Sequence, residues 1–134
     1  GFGVDAMLLD DRCCDPLLRK AVRVAMGHVL TTPFAIDRDL PTTLSRLHRD
    51  HGVETVALET GDALAGGAAR PLPALPRAER LALVVGSEGH GLCDAVLGAC
   101  RHVCEIPMAA GVPSLNVAVA AAVGLYERRR GNDG

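Results

Sequence analysis

Residues 81–86 read LALVVG, an apolar run with no polar member. A strand with one wet face alternates apolar and polar side chains. An unbroken run asks for cover on both faces, as a strand has inside a parallel sheet. Parallel neighbours cannot be joined by tight turns and need crossovers, usually helices. The chain supplies the parts in alternation. VDAMLLD (4–10), HVLTTPFAI (28–36, part of it loop because of Pro33), VETVALE (53–59) and HVCEIP (102–107) read as further strands. Between them lie helical stretches at 16–26, from Pro41 to Arg49, at 92–100 and at 115–129. Asp15-Pro16 is a helix start, with Gly27 as its stop. That first helix sets Leu17, Leu18, Ala21, Val22, Ala25 and Met26 on one stripe. The expectation is one α/β domain over residues 1–134, a parallel sheet flanked by helices. Residues 60–78, with Gly-Gly and three prolines, read as a loop and as the mobile part.

Composition narrows the function. Apolar residues make up 49% of the chain but aromatics only 2%, so the core is built from Ala, Val and Leu. With Phe2, Phe34 and Tyr126 alone, stacking platforms for single-stranded nucleic acid are not expected. A net charge of −2 announces no polyanion partner. Every basic residue but Lys20 is arginine, which suits bidentate phosphate contacts and equally reflects GC-rich coding. Arg128, Arg129 and Arg130 read as a solvated terminal run.

The five cysteines form no CxxC pair and imply free thiols in a reducing compartment, hence a cytoplasmic protein. Cys100, His102 and Cys104 alternate as on a strand, but a fourth metal ligand has no obvious source, so no metal is expected. His48 and His51 read as an exposed helix face. No stretch reaches the roughly 18–20 apolar residues of a membrane span, and no signal-peptide pattern is present. The chain enters a strand almost at once without a Met, as a fragment would.

Two loops carry the chemistry. In LALVVGSEGHGLCDAVL a strand ends at Gly86 and a helix follows near Leu92. Gly86, Gly89 and Gly91 allow close backbone approach to a ligand at the strand's carboxyl end. The spacing GxxGxG is neither the dinucleotide fingerprint nor a P-loop. A tight turn with Glu88 near a helix N-terminus accounts for it as well. In EIPMAAGVPSLNVAVAAAVGLYE (105–127) a strand leads through Pro, Gly and Pro into an apolar helix. Ser114 is the expected N-cap. Asn116, a polar residue in an apolar first turn, needs a partner in the preceding loop or in a ligand.

GSEGHGL followed by IPMAAGVPSLNVAVAAAVGLYE is similar to the second and third motifs of the SpoU/TrmH family of RNA ribose 2′-O-methyltransferases, in the SPOUT superfamily. GFGVDAMLLDDRCCDPLLRKAVRVAMGHVLTTPFA resembles that family's stretch after its first motif, so the likeness covers nearly the whole chain. The resemblance implies a C-terminal segment threaded as a deep trefoil knot, which no periodicity reveals. It implies an S-adenosylmethionine pocket lined mainly by backbone, at Gly86, Ile106, Met108 and Leu115, with Thr60 on a third loop. Glu88, Ser114 and Asn116 match polar positions around the family's active site. It also implies an RNA substrate, tRNA or 23S rRNA, and a homodimer through the closing helix.

The chain departs from the family at one point. The first motif, whose arginine the resemblance implies helps activate the ribose hydroxyl, falls before Gly1, and Arg23 matches a structural segment instead. The resemblance therefore implies that this chain holds the cofactor-binding part of the enzyme. The alternatives are a base-modifying SPOUT enzyme, disfavoured by SLN, and a non-catalytic nucleotide- or RNA-binding or dimerisation module of the same fold.

Overall fold

The computed structural model describes residues 2–60, 69–75, 77–112 and 114–130. The chain divides into two compact units, residues 1–40 and 41–134.

In the first unit β1 (Met7–Asp10) pairs in parallel with β2 (Phe34–Asp37), Met7 opposite Phe34 and Asp10 opposite Asp37. The crossover holds α1 (Arg19–Val24) and a single 3-10 turn, His28–Leu30. Three expectations need correction here. The helix opens at Arg19 and not at Pro16, because Asp15 Oδ1 takes the Leu17 N–H at 2.9 Å and closes a local turn. Its end comes early too, with Met26 at φ 51° and Gly27 at φ 80°. The loop part of 28–36 is its whole first half, so residues 28–30 are not strand. The hydroxyls of Thr31 and Thr32 both donate to the His28 carbonyl, at 3.1 and 3.0 Å, and hold a turn there. Strand geometry begins only after Pro33, whose carbonyl takes the Met7 N–H at 2.9 Å. The expected apolar stripe is split, and only Ala21 and Val22 of it lie within α1: Ala21, Val22 and Ala25 are half-buried, whereas Leu17, Leu18 and Met26 are exposed.

Among its described residues the second unit contains α2 (Leu40–His51) from Pro41 on, β3 (Glu54–Leu58), β4 (Arg70–Pro71), β5 (Leu81–Val85), α3 (Asp94–Ala99), β6 (His102–Glu105) and α4 (Val117–Arg130). Its four strands pair in parallel in the order β4-β6-β3-β5. The most deeply buried strand is β3, not the all-apolar β5. Thr55 to Leu58 are buried, while β5 takes an edge of this sheet and leaves Val85 36% exposed. The apolarity of β5 serves α4, which packs across β5 and β3. Gly124 makes that approach possible. A Cβ there would stand 2.8 Å from Leu83 Cδ2 and 2.9 Å from Leu58 Cδ1.

The expected loop at 60–78 lies partly outside the described residues, at 61–68. Its described part holds β4, where Pro71 is tolerated because the strand is at an edge. The core gathers Val56, Leu58, Leu72, Leu75 and Cys104, with Leu81, Leu83 and Ile106 packed against it.

At the amino ends of the strands, His48 is half-buried, not on an exposed face. Its Nδ1 donates to the Val53 carbonyl at 3.2 Å and lies 3.9 Å from Glu54 Oε1. His102 Nε2 stands 3.1 Å from the other Glu54 oxygen, and Cys104 is turned into the core. Among the described residues no His, Cys, Asp and Glu group is arranged to hold a metal.

Burial pushes the Cys100 thiol up to about 11 and raises that of Cys104. Cys13, Cys14 and Cys93 are exposed. An aromatic disulfide reagent at about pH 8 should therefore titrate those three quickly and reach Cys100 and Cys104 only on unfolding. Fast reaction of five thiols in the folded protein would contradict this packing.

Candidate functional site at the strand carboxyl ends

Parallel register brings three strand ends to one level. Leu58 pairs with Val85 on one side and with Cys104 on the other. The segments beyond them, opening with Glu59, Gly86 and Glu105, surround a cavity of about 900 Å³. Strand carboxyl ends are where open α/β sheets hold ligands. All eight site residues named from the sequence line this one cavity: Thr60, Gly86, Glu88, Ile106, Met108, Ser114, Leu115 and Asn116.

The glycine loop folds back on itself. Ser87 and Gly91 form an antiparallel bridge, with the Gly91 N–H donating to the Ser87 carbonyl at 3.0 Å. Gly89 at φ 89° and Gly91 at φ 63° adopt backbone that side chains disfavour. Gly86 is needed for room instead. A Cβ there would lie 2.6 Å from the Leu92 nitrogen and 2.5 Å from the Gly91 carbonyl oxygen.

Asn116, and not Ser114, caps the closing helix. The helix starts at Val117, one residue beyond Asn116, so Ser114 lies too early to cap it. Asn116 Oδ1 accepts the N–H groups of Ala118 at 3.0 Å and Val119 at 3.3 Å. Its Nδ2 donates to Glu88 Oε1 at 2.5 Å. The amide is exposed, not buried, yet satisfied at both ends. One side chain thus ends the third-motif loop, starts α4 and grips the glycine loop.

Glu59 was not singled out in the sequence. Its carboxylate lies half-buried in the cavity wall, taking the Thr60 N–H at 3.1 Å and the Leu92 N–H at 3.0 Å. The only sequence signal for it is its place beside Thr60, directly after β3. With Glu59, Glu88 and Glu105, the described lining has three carboxylates and neither lysine nor arginine.

A parallel α/β unit with a cavity at its strand ends, walled by glycine backbone, carboxylates and apolar side chains, is of the class that binds small organic ligands between loops. Residues 1–126 match the SpoU rRNA Methylase family, and the chain belongs to it. It is similar to an uncharacterized tRNA/rRNA methyltransferase of Mycobacterium tuberculosis, 44% identical over 97% of this chain and 44% of that protein. It is similar also to the 23S rRNA (guanosine(2553)-2′-O)-methyltransferase RlmP of Bacillus subtilis, 36% identical over 95% of this chain and 48% of that protein. In structure it is similar to the AdoMet-bound rRNA methyltransferase from Sinorhizobium meliloti, at TM-score 0.81 and 28% identity over 97% of this chain and 47% of that one. The chain spans about half the length of these relatives. Among the described residues no helix is long and apolar enough to cross a membrane.

Proposed function

We propose that the protein carrying this chain transfers a methyl group from S-adenosylmethionine to a ribose 2′-hydroxyl of tRNA or 23S rRNA. The observation that carries this reading is the convergence of eight residues, chosen from the sequence, on one cavity. The chemistry of the lining fits the cofactor. Leu58, Val85, Ile106 and Leu115 offer apolar surface for a purine. The carboxylates of Glu88 and Glu105 suit ribose hydroxyls and a cationic centre. Gly86, Ile106, Met108 and Leu115 would hold the cofactor, with Thr60 at the third loop. Thr60 would do so by its carbonyl and hydroxyl, since its N–H is engaged by Glu59.

The bound cofactor supplies an activated methyl group on a sulfonium. The chain's own part is to bind, orient and exclude water, and such positioning lowers barriers by on the order of 7 kcal/mol in well-aligned cases. Glu88 is held by Asn116 and would orient the reacting hydroxyl or its activating group, beside Ser114. The reading treats residues 1–134 as one methyltransferase domain with a knotted C-terminal segment. A homodimer through α4 goes with it, supported by the exposed Val119, Val123 and Tyr126 along that helix.

The test is transfer of labelled methyl from S-adenosylmethionine to tRNA and 23S rRNA transcripts, followed by alkaline hydrolysis. A methylated 2′-hydroxyl cannot attack its own phosphodiester. Label should therefore remain in alkali-resistant dinucleotides. Label on a base would replace the ribose reading, and no transfer despite cofactor binding would favour a binding module.

A further inference from the structure

Glu59 occupies a junction that the proposed chemistry does not use. Its backbone N–H donates to the Cys104 carbonyl at 2.9 Å, joining the end of β3 to β6. Its side chain reaches the other way, to the Leu92 N–H at 3.0 Å, where the glycine loop runs toward α3. Its second oxygen accepts the Thr60 N–H at 3.1 Å. One residue thus ties together the three segments that wall the cavity.

The loop is shaped around that carboxylate. Gly91 stands at φ 63°, and a Cβ on it would come within 2.5 Å of Glu59 Oε2. Gly86 lies against Gly91 and Leu92 with no room for a Cβ of its own. Glu59, Gly91 and Gly86 therefore form a stack in which each member fixes the next. Bonds from backbone N–H groups to an ionised carboxylate are among the stronger hydrogen bonds of a protein.

We infer that Glu59 is a positioning residue for the S-adenosylmethionine cavity, fastening the glycine loop to the ends of β3 and β6 through the Leu92 N–H. The inference rests on the cofactor reading given above and assigns to the cavity a latch that sets its width. It acts through backbone geometry, not by contact with the reacting atoms.

The test compares wild type with Glu59→Ala, Glu59→Gln and Gly91→Ala. Two readouts are needed: S-adenosylmethionine affinity by calorimetry, and amide hydrogen exchange at Leu92 without cofactor. Glu59→Ala should weaken binding about tenfold and speed Leu92 exchange about tenfold, the ratio carried by one charge-assisted hydrogen bond. Glu59→Gln keeps the shape but has only one acceptor oxygen for two N–H groups, so it should fall between. Gly91→Ala keeps the carboxylate but displaces it, and should speed Leu92 exchange in the same way.

Thr55→Val is the control. Thr55 Oγ1 accepts the Arg101 N–H at 3.0 Å at the opposite end of the same strand. It should lower stability while leaving cofactor affinity and Leu92 exchange unchanged. Wild-type affinity and exchange in Glu59→Ala would overturn the inference. Equal loss of affinity in Thr55→Val would overturn it too, by reducing Glu59 to general stability. If wild type itself does not bind S-adenosylmethionine, the functional reading fails separately, and unchanged Leu92 exchange in Glu59→Ala then overturns the latch.

Discussion

A Gly86→Val protein is expected to bind S-adenosylmethionine at least about a hundredfold more weakly than wild type, a loss of about 2.7 kcal/mol. The reason is steric and involves backbone. A Cβ at this position would stand 2.5 Å from the Gly91 carbonyl oxygen and 2.6 Å from the Leu92 nitrogen. A flexible side chain could swing aside from such a contact, but a peptide unit can move only if the loop opens. Opening the loop breaks the Ser87–Gly91 bridge and draws the Leu92 N–H away from Glu59. Overpacking on this scale costs about 1–3 kcal/mol of stability. The chain should therefore still fold, with a modestly lower melting temperature and a deformed cavity. Calorimetry with the cofactor, beside a thermal melt, separates the two effects. A folded Gly86→Val protein that binds as tightly as wild type would show that the glycine loop does not wall the ligand site.

The sequence and the structure agree where local pattern decides and diverge where a partner distant in sequence decides. Strand and helix alternation was legible because each element carries its own periodicity, and the glycine loop because three glycines within six residues have few other uses. The order of burial was not legible. LALVVG looks like the most enclosed strand, yet the strand enclosed on both sides is VETVALE, because Glu54–Leu58 lies between β5 and β6 in the sheet. Apolarity records what covers a strand's faces and is silent on which neighbours take its edges. The errors at Asp15 and at Thr31-Thr32 have another source. In both, a short polar side chain bonds the nearby backbone and outcompetes the element that the flanking residues favour.

The site residues were chosen through motif likeness, and the structure gathers them at one place. Glu59 escaped for a physical reason. Its partner Leu92 lies 33 residues away, and an acidic residue after a strand reads as an ordinary solvated charge. The cap was misassigned for a similar reason. Ser114 and Asn116 are both good N-caps, and only the helix start at Val117 decides between them.

That reassignment gives the second large expected effect. Asn116 does two jobs with two ends of one amide, and Asn116→Asp separates them. An aspartate caps a helix about as well as asparagine, and its charge is favourable at the N-terminus of α4. The bonds to the N–H groups of Ala118 and Val119 should survive, with global stability within about 0.5 kcal/mol of wild type. The other end of the side chain fares differently. Nδ2 donates to Glu88 Oε1 at 2.5 Å, and replacing it with oxygen sets two carboxylates in contact. The bond is exposed, so its loss costs the fold little, but repulsion between the two carboxylates swings Glu88 from its place. Methyl transfer should fall about a hundredfold as Glu88 leaves its place, with the melting temperature nearly unchanged. Asn116→Ala should show the opposite balance, losing about 1 kcal/mol of stability with the cap while leaving Glu88 unpaired but not repelled. Its activity should accordingly lie above that of Asn116→Asp. If the two variants lose activity in proportion to stability instead, Asn116 serves the helix alone, and its bond to Glu88 has no part in the reaction.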